Sequence, residues 1–223
     1  MTKPARAQRP DGGLTRARIL ESAGRLFAST GFAETASKTI ATEAGVDLAS
    51  INYHFGSRNG LYQAVLVEAH RRLVDVDALK ELVESRVEAA AKLEVLIGYL
   101  VPDGAGTEDA WHLNVLAREI LAPSSHIQVL FQSALLPKLA LVRRILSNVT
   151  GIPAEDPALA RCLLSFAAPC LMLLIGGRSL PGPIREIGAM PRQDIIRHLL
   201  TFALGGLAAI GEEYRRAAGQ GMA

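Results

Sequence analysis

Cysteine and aromatic residues are scarce in this 223-residue chain, and each shortage excludes a class of protein. The only two cysteines, Cys162 and Cys170, would lie about 12 Å apart along a helix axis, which is beyond the roughly 7 Å reach of a disulfide. We therefore expect two free, buried thiols in a reducing compartment. Aromatic residues make up 5% of a chain that is 49% hydrophobic, and this composition favours packed helices over an aromatic-rich β-sandwich.

A secretory signal and a long apolar run are also missing. The basic residues Lys3, Arg6 and Arg9 are not followed by an apolar stretch, as they would be in a signal peptide. The longest nearly apolar run, Cys162–Ile175, has 14 residues and is too short to span a bilayer. We interpret it as a buried helix and expect a cytoplasmic protein with no membrane partner.

The sequence lacks the motifs of common enzymes and metal sites. It has no Gly-x-Ser-x-Gly elbow, no Gly-x-x-x-x-Gly-Lys phosphate loop and no His-Glu-x-x-His pair. His112 and Glu119 would share one helix face about 10 Å apart along the axis, without the further ligands that a metal needs. We therefore expect no enzymatic activity, no metal and no cofactor, and keep an enzyme that uses a helical cavity as the alternative.

Apolar residues recur at helical spacing along most of the chain, and no useful stretch alternates like a strand. A first helix is predicted over Thr15–Thr30, and two short helices separated by Gly45 follow it. Thr35 and Asp47 are the residues able to cap these two helices. Longer helices are predicted at Asn59–Asp75, Ala78–Val101, Glu108–Leu121, Ser124–Val149, Pro157–Gly176 and Gln193–Ala217. The fold class predicted from this pattern is all-α.

The two short helices around Gly45 have the dimensions of a helix-turn-helix, whose second helix enters the major groove of DNA. The charge distribution supports this interpretation. Residues 1–60 carry eight Lys or Arg against five Asp or Glu, whereas residues 61–223 carry sixteen against seventeen. The positive excess therefore lies in the candidate DNA-binding part. We predict a flexible basic arm at 1–13, a helix-turn-helix domain at 14–60 and a second domain at 61–223.

Residues at fixed spacing mark the segment from Gly31 to Leu61. They are Gly31-Phe32, Thr35, Ile40-Ala41, Ala44-Gly45-Val46, Ile51-Asn52-Tyr53-His54-Phe55-Gly56-Ser57-Arg58 and Leu61. Together they resemble the DNA-binding domain of the TetR family of transcriptional regulators. The resemblance implies a three-helix helix-turn-helix domain, followed by a larger helical domain that binds a ligand and dimerises.

The resemblance also implies DNA contacts residue by residue. Phosphate contacts are expected from Ser37 and Lys38, contacts to base edges from Leu48, Ala49, Ser50 and Asn52, and backbone contacts from Tyr53, His54 and Arg58. Lys38 and Arg58 would supply salt-sensitive attraction to phosphate, and Asn52 is able to bind adenine. Ala49 and Asn52 stand where the family more often has glycine and an aromatic residue, so the base preference stays open.

Beyond Leu61, the helices are the expected site of a small-molecule effector. The candidate lining residues are aromatic or polar side chains within apolar helices: Trp111, His112, Arg118, Glu119, Phe131, Phe166 and Met172. Core packing is the alternative for most of them, and an internal ion pair is the alternative for Arg118 and Glu119. A regulator that takes no ligand and answers to a protein partner also stays open.

The last predicted helix carries a stripe rich in small residues, which permits close approach of another helix. Its members are Leu199, Phe202, Gly206, Ala209 and Ile210. With the Cys162–Ile175 helix, this stripe would form a four-helix interface across a two-fold axis, or else belong to the monomer core. We therefore predict a homodimeric repressor of a palindromic operator in double-stranded DNA, released by a small-molecule effector.

Overall fold

A computed structural model describes residues 10–101, 110–176 and 181–220 of the chain. Every regular element in these ranges is a helix, which confirms the all-α prediction. The α-helices are α1 Pro10–Thr30, α2 Ser37–Glu43, α3 Leu48–Phe55, α4 Arg58–Leu73, α5 Val76–Glu84, α6 Ala89–Leu100, α7 Trp111–Leu121, α8 Ile127–Leu130, α9 Leu136–Thr150, α10 Pro157–Gly176, α11 Pro183–Gly188 and α12 Arg192–Gln220. A π-helical segment, Phe131–Leu135, directly precedes α9.

The helices form two compact units that do not follow chain order. The N-terminal unit comprises the described residues up to Ala69 and those from 110 to Leu130, and the C-terminal unit comprises the other described residues. The division passes through α4 and places α7 and α8 with α1. As functional domains, 14–60 and 61–223 stay a prediction, but packing groups the segment from 110 to 130 with the N-terminal helices.

The core of the N-terminal unit is built from one apolar face of each helix. Ile19 and Phe27 of α1, Ile40 of α2 and Ile51 of α3 are all buried. The ring of Phe27 also lies edge-on to that of Tyr62 in α4, with centroids 5.0 Å apart. α2 packs against α1 and α3 packs against α2, and the outer face of α3 is left for solvent.

A tryptophan explains why α7 joins this unit. Trp111 is 2% exposed, and its indole Nε1 donates a hydrogen bond of 2.8 Å to Glu21 Oε1. Its ring lies so close to α1 that a Cβ on Gly24 would be 2.5 Å from it. Only glycine at this position lets the two helices approach so closely, and α7 therefore packs along α1.

In the C-terminal unit, α9 packs against α5, α6, α10 and α12. The core cluster includes Leu79, Leu93, Ile97, Leu146, Leu159, Phe166, Ile196 and Leu207. Cys162 and Cys170 lie in this core as free thiols, as predicted. Burial raises the pKa of Cys170 to about 11, so this side chain is a packing group and not a thiolate at neutral pH.

Two long predicted helices are broken in the structure. The stretch predicted as Ala78–Val101 forms α5 and α6, because the backbone becomes extended at Ser85, the C-cap of α5. Lys92 Nζ then binds the end of α5 by donating to Val83 O at 2.7 Å and to Ser85 O at 2.8 Å. The stretch predicted as Ser124–Val149 divides into α8, the π-helical segment and α9. Pro137 lacks the N–H that an α-helix would need there, which favours the wider π turn before it.

The start of α1 and the cap of α2 also differ from the prediction. α1 begins at Pro10 rather than Thr15, since proline suits the first turn of a helix. Residues 10–13 of the predicted arm are thus helical. Residues 1–9 of the arm lie outside the described residues. Ala36 and not Thr35 is the N-cap of α2. The Thr35 hydroxyl instead donates to Gly31 O at 2.6 Å.

Two described helices, α10 and the Arg192–Gly219 part of α12, are long and apolar enough to cross a membrane by length and composition alone. Core helices of soluble proteins pass the same test. Phe166 and Cys170 of α10 and Ile196 of α12 lie in the core cluster, which favours core helices. α10 continues through Pro169, a residue type that usually kinks or breaks a helix.

Candidate nucleic-acid interface

The turn between α2 and α3 is fixed by local hydrogen bonds. Gly45 adopts a positive φ of 61°, a conformation that glycine adopts without a Cβ penalty. This turn allows Val46 N to donate to Ala41 O at 3.0 Å. Asp47 then caps α3, as predicted, because its Oδ1 accepts from Ser50 N at 2.7 Å. The result is a helix-turn-helix with a defined angle between its two helices.

Most of the predicted DNA-contacting side chains lie on the solvent side of α2 and α3. Lys38, Ala49 and Asn52 are exposed, and Tyr53 is 85% exposed, whereas Ile51 between them is fully buried. Five exposed residues form the surface that we call the exposed α2–α3 face: Lys38, Leu48, Ala49, Asn52 and Tyr53. The other predicted contact residues are half-buried: Ser37, Ser50, His54 and Arg58. Contact of these residues with DNA stays a prediction.

Two members of the predicted set have partners within the helix. The Ser50 hydroxyl donates to Asp47 Oδ1 at 2.6 Å, so it would offer a base its lone pairs as an acceptor. These Ser50 hydrogen bonds also lower the pKa of Asp47. The Tyr53 ring lies edge-on to the His54 ring, with centroids 5.0 Å apart, while the exposed phenol faces solvent.

Arg58 has a structural role that the sequence did not reveal. Its guanidinium Nε donates to Thr35 O at 2.9 Å and its Nη2 to Ala33 O at 3.1 Å and to Phe32 O. The same group lies 4.2 Å from the centroid of the Phe32 ring. Arg58 thereby binds the α1–α2 connection, and a phosphate contact would fall to Nη1. Its partners are more than twenty residues away, so no local pattern could have identified them.

Two of the predicted pocket residues, Arg118 and Glu119, also bind groups of the N-terminal unit. Arg118 Nε donates to Ala28 O and Nη2 to Ser29 O, each at 2.9 Å. These carbonyls belong to the last turn of α1, where a helix has no internal donors left.

Glu119 is 1% exposed, and its Oε2 accepts from the Tyr62 hydroxyl at 2.8 Å. Its other oxygen, Oε1, accepts from Ser124 N at 3.0 Å and from Ser124 Oγ at 2.7 Å. Burial, with the hydrogen bond to Glu119, raises the pKa of Tyr62. The adjacent residues Arg118 and Glu119 therefore bind different helices, α1 and α4.

The seven predicted pocket residues are divided between the two units. Trp111, His112, Arg118 and Glu119 belong to α7 of the N-terminal unit, and Phe131, Phe166 and Met172 belong to the C-terminal unit. Phe166 is 6% exposed within the core, whereas Phe131 and Met172 are 40% and 50% exposed. Ligand binding by these residues stays a prediction. Among the residues described, no group of three or more His, Cys, Asp or Glu is placed to hold a metal ion.

The predicted dimer stripe has two faces. Phe202 is 68% exposed, and Gly206 and Ala209 are exposed beside it, while Leu199 and Ile210 pack against the core of the C-terminal unit. The neighbouring α10, which packs against α12, exposes Leu164 to 68% and Met172 to 50%. Both helices thus expose apolar residues.

Two family models match the sequence. The model described as "Bacterial regulatory proteins, tetR family" matches residues 19–65, which cover the helix-turn-helix. The model described as "HTH-type transcriptional dual regulator CecR, C-terminal domain" matches residues 89–207, more than half of the chain. No curated protein matches the sequence.

Solved structures share the fold. The fatty acid degradation regulator FadR from Bacillus halodurans is 16% identical with a TM-score of 0.67, over 85% of this chain and 98% of that chain. The regulator FadR from Bacillus subtilis, solved with stearoyl-CoA, is 14% identical with a TM-score of 0.66, over the same shares. A TetR-like regulator from Rhodococcus sp. RHA1 is 20% identical with a TM-score of 0.61, over 92% and 99%. With a tetR-type helix-turn-helix and a regulator C-terminal domain that spans more than half of its length, the protein belongs to the TetR family of transcriptional regulators.

Proposed function

We propose that the protein is a cytoplasmic, homodimeric repressor that binds a palindromic operator and releases it when a small-molecule effector binds. The observation that carries the proposal is the exposed α2–α3 face. Asn52 and Tyr53 point away from a core that buries Ile51 completely. A helix held in this way inserts its outer side chains into the major groove, and cations such as Lys38 bind phosphate.

The apolar surface of α10 and α12 supports the homodimer. Leu164, Met172 and Phe202 are each at least half exposed, which is costly for a monomer in water. A second copy of the chain would cover this surface by an isologous contact between the two α10–α12 pairs. Two recognition helices about 34 Å apart then bind successive half-sites of a palindrome.

The proposed effector acts by differential affinity. An effector that binds more tightly to one arrangement of the dimer shifts the population toward it. If that arrangement changes the spacing of the two α3 helices, both half-sites no longer fit and DNA is released. The structure of the Bacillus subtilis FadR contains stearoyl-CoA, so an acyl-CoA is the first effector to test.

DNA binding is tested by selecting tight-binding duplexes from a random library. We expect a palindromic consensus and affinity that falls steeply with salt. Lys38→Ala is expected to reduce the slope of log K against log salt by about 0.9. The control is Lys80→Ala, at an exposed lysine of the C-terminal unit, and its slope should match that of the unchanged protein. Failure to enrich any sequence would overturn the proposal.

Release is tested by titrating stearoyl-CoA into the complex with the selected duplex, with coenzyme A alone as the control. We expect stearoyl-CoA to release the protein from the duplex and coenzyme A alone to leave the complex intact. One observation favours a second candidate, a regulator controlled by a protein partner: Trp111, predicted to line the pocket, is packed against α1 instead. Binding that is unaffected by stearoyl-CoA would reject the acyl-CoA and favour this second candidate.

A further inference from the structure

Glu119 is a buried carboxylate placed at the junction of three chain segments. It lies in α7. Its Oε2 accepts a hydrogen bond from Tyr62 of α4, and its Oε1 accepts hydrogen bonds from Ser124. At 1% exposure, neither oxygen can exchange these donors for water. A buried carboxylate of this kind stabilises its surroundings only while its hydrogen bonds are made. The position of α4 relative to α7 is therefore defined by a short, polar contact.

Tyr62 connects this contact to the helix-turn-helix. Its ring lies 4.5 Å from the ring of Phe32 between centroids, and the guanidinium of Arg58 lies on the same Phe32 ring at 4.2 Å. Phe32 belongs to the α1–α2 connection, whose carbonyls Arg58 also binds. A displacement of the Tyr62 ring would therefore move the segment that leads into α2.

Arg118, the residue before Glu119, binds the end of α1, just before this connection begins. Its hydrogen bonds to Ala28 O and Ser29 O end one residue before Thr30, the last residue of α1. α7 thus contacts α1 through Arg118 and α4 through Glu119. Since α2 and α3 follow from α1 and precede α4, their placement depends on both contacts.

Along the chain, the segment that contains α7 lies between two parts of the C-terminal unit. The segment from 110 to Leu130 belongs to the N-terminal unit, while the residues that precede and follow it along the chain belong to the C-terminal unit. The segment that carries Glu119 is therefore joined along the chain to the C-terminal unit at both of its ends. α4 provides a third covalent connection, at Ala69 and His70.

We propose that Glu119 is a positioning residue for DNA binding: its hydrogen bond to Tyr62 holds the helix-turn-helix in the arrangement that grips DNA. This inference rests on the proposed function. The residue acts through Tyr62, Phe32 and the α1–α2 connection and touches no DNA itself. Breaking the bond lowers the affinity for DNA in protein that is still folded.

The test compares Tyr62→Phe with the unchanged full-length protein on the selected duplex. This substitution removes one hydroxyl and keeps the ring, so Phe27 and Phe32 retain their packing. We expect operator affinity to fall on the order of tenfold after correction for the folded fraction, since a single buried hydrogen bond is lost. The slope against log salt should stay unchanged, because no phosphate contact is removed.

Glu119→Gln, Glu119→Ala and Tyr99→Phe complete the design. Glu119→Gln keeps an acceptor oxygen for Tyr62, so it should lose less affinity than Tyr62→Phe. Glu119→Ala removes the acceptor, so the double variant of Glu119→Ala and Tyr62→Phe should lose less affinity than the sum of its two single variants. Tyr99→Phe, a hydroxyl deletion in the C-terminal unit, is the control and should bind as the unchanged protein does. Amide hydrogen exchange at residues 31–37 should accelerate in Tyr62→Phe alone.

Three outcomes would overturn the inference. Affinity of folded Tyr62→Phe equal to that of the unchanged protein would show that the bond only stabilises the fold. A salt slope reduced by about one would indicate a direct phosphate contact instead. Additive effects in the double variant would show that Tyr62 and Glu119 are not coupled. If the unchanged protein selects no duplex, the proposed function itself fails, a result distinct from these three.

Discussion

At the scale of single residues, Gly24 shows how a distant contact can reverse a local preference. It lies in the middle of α1, where alanine would ordinarily stabilise a helix by about 1 kcal/mol relative to glycine. In the fold, however, a Cβ at this position would stand 2.5 Å from the Trp111 ring. The missing side chain of Gly24 is what lets α7 reach Glu21 and bind it.

We predict that Gly24→Ala lowers the melting temperature, because the added methyl group pushes Trp111 off α1 and overpacks the interface. The control is Gly13→Ala in the same helix, where a Cβ would have nothing within 4 Å, and this variant should be neutral or stabilised. Thermal unfolding followed by circular dichroism measures both. A more stable Gly24→Ala would show that the close contact with Trp111 does not constrain the helix.

The residues whose roles could be predicted are those with local partners. Asp47 caps α3 through Ser50, three positions along the chain, and the sequence identifies such a cap directly. Arg58 binds Thr35, Trp111 binds Glu21 and Glu119 binds Tyr62, and these partners are between 23 and 90 residues away. Periodicity and capping patterns carry no information about such distant partners, so their roles were either missed or assigned to the pocket.

At the scale of helices, a recurring device is a cation from one helix that binds the C-terminal carbonyls of another. It occurs in five described helices: Arg118 for α1, Lys138 for α4, Lys92 for α5, Arg192 for α6 and Arg215 for α9. The C-terminus of a helix is partially negative and has free carbonyls. Each cation therefore fixes the docking of two helices. From the sequence, Arg118 was assigned to the pocket and the other four residues had no predicted role.

One of these caps depends on a neutral histidine. Lys138 Nζ lies 2.7 Å from His70 Nδ1 and donates to His70 O at 3.1 Å. Burial, together with the charge of Lys138, lowers the pKa of His70 from 6.5 to about 4. The unfolded chain therefore binds a proton near pH 6.5 that the folded protein takes up only near pH 4. This stabilisation is complete above pH 6.5 and is lost as the pH falls toward 4.

We predict that the free energy of unfolding falls between pH 6.5 and 4 by roughly 1.4 kcal/mol per pH unit from this group. His70→Gln, which offers an amide oxygen to Lys138 and does not titrate, should flatten this dependence. Urea unfolding at a series of pH values provides the measurement. His198→Gln on the exposed side of α12 is the control, and it should retain the slope. If the free energy of unfolding of His70→Gln falls as steeply with pH as that of the unchanged protein, the pH dependence does not come from His70.

At the scale of the whole molecule, the distribution of apolar surface follows the proposed assembly. The sequence predicted one stripe on the last helix, but helical spacing alone could not show which of its residues face inward. The structure turns Leu199 and Ile210 toward the core and leaves Phe202 68% exposed. On α12, fewer residues of the stripe than predicted are therefore available to a second copy. Leu164 and Met172 of α10 are also exposed and would add to the proposed interface.

If the proposed dimer forms through α10 and α12, we predict that Phe202→Glu makes the protein monomeric and abolishes tight operator binding, since a charge buried in an apolar interface is not compensated. Sedimentation velocity at micromolar concentration measures the first effect and a DNA titration the second. The control is Met190→Glu, at a residue that is 51% exposed outside α10 and α12, and it should leave both unchanged. A dimeric Phe202→Glu would place the interface elsewhere.

The N-terminal unit is formed by two separate segments of the chain, and this has a consequence for its folding during biosynthesis. Its core needs Trp111 and Glu119 on α1 and α4, so the unit is complete only when the segment that ends at Leu130 is present. During translation, the first 69 residues leave the ribosome well before α7 does, and the parts of α1 and α4 that contact α7 stay unpaired until then. The helix-turn-helix, although first in the chain, acquires its final packing late.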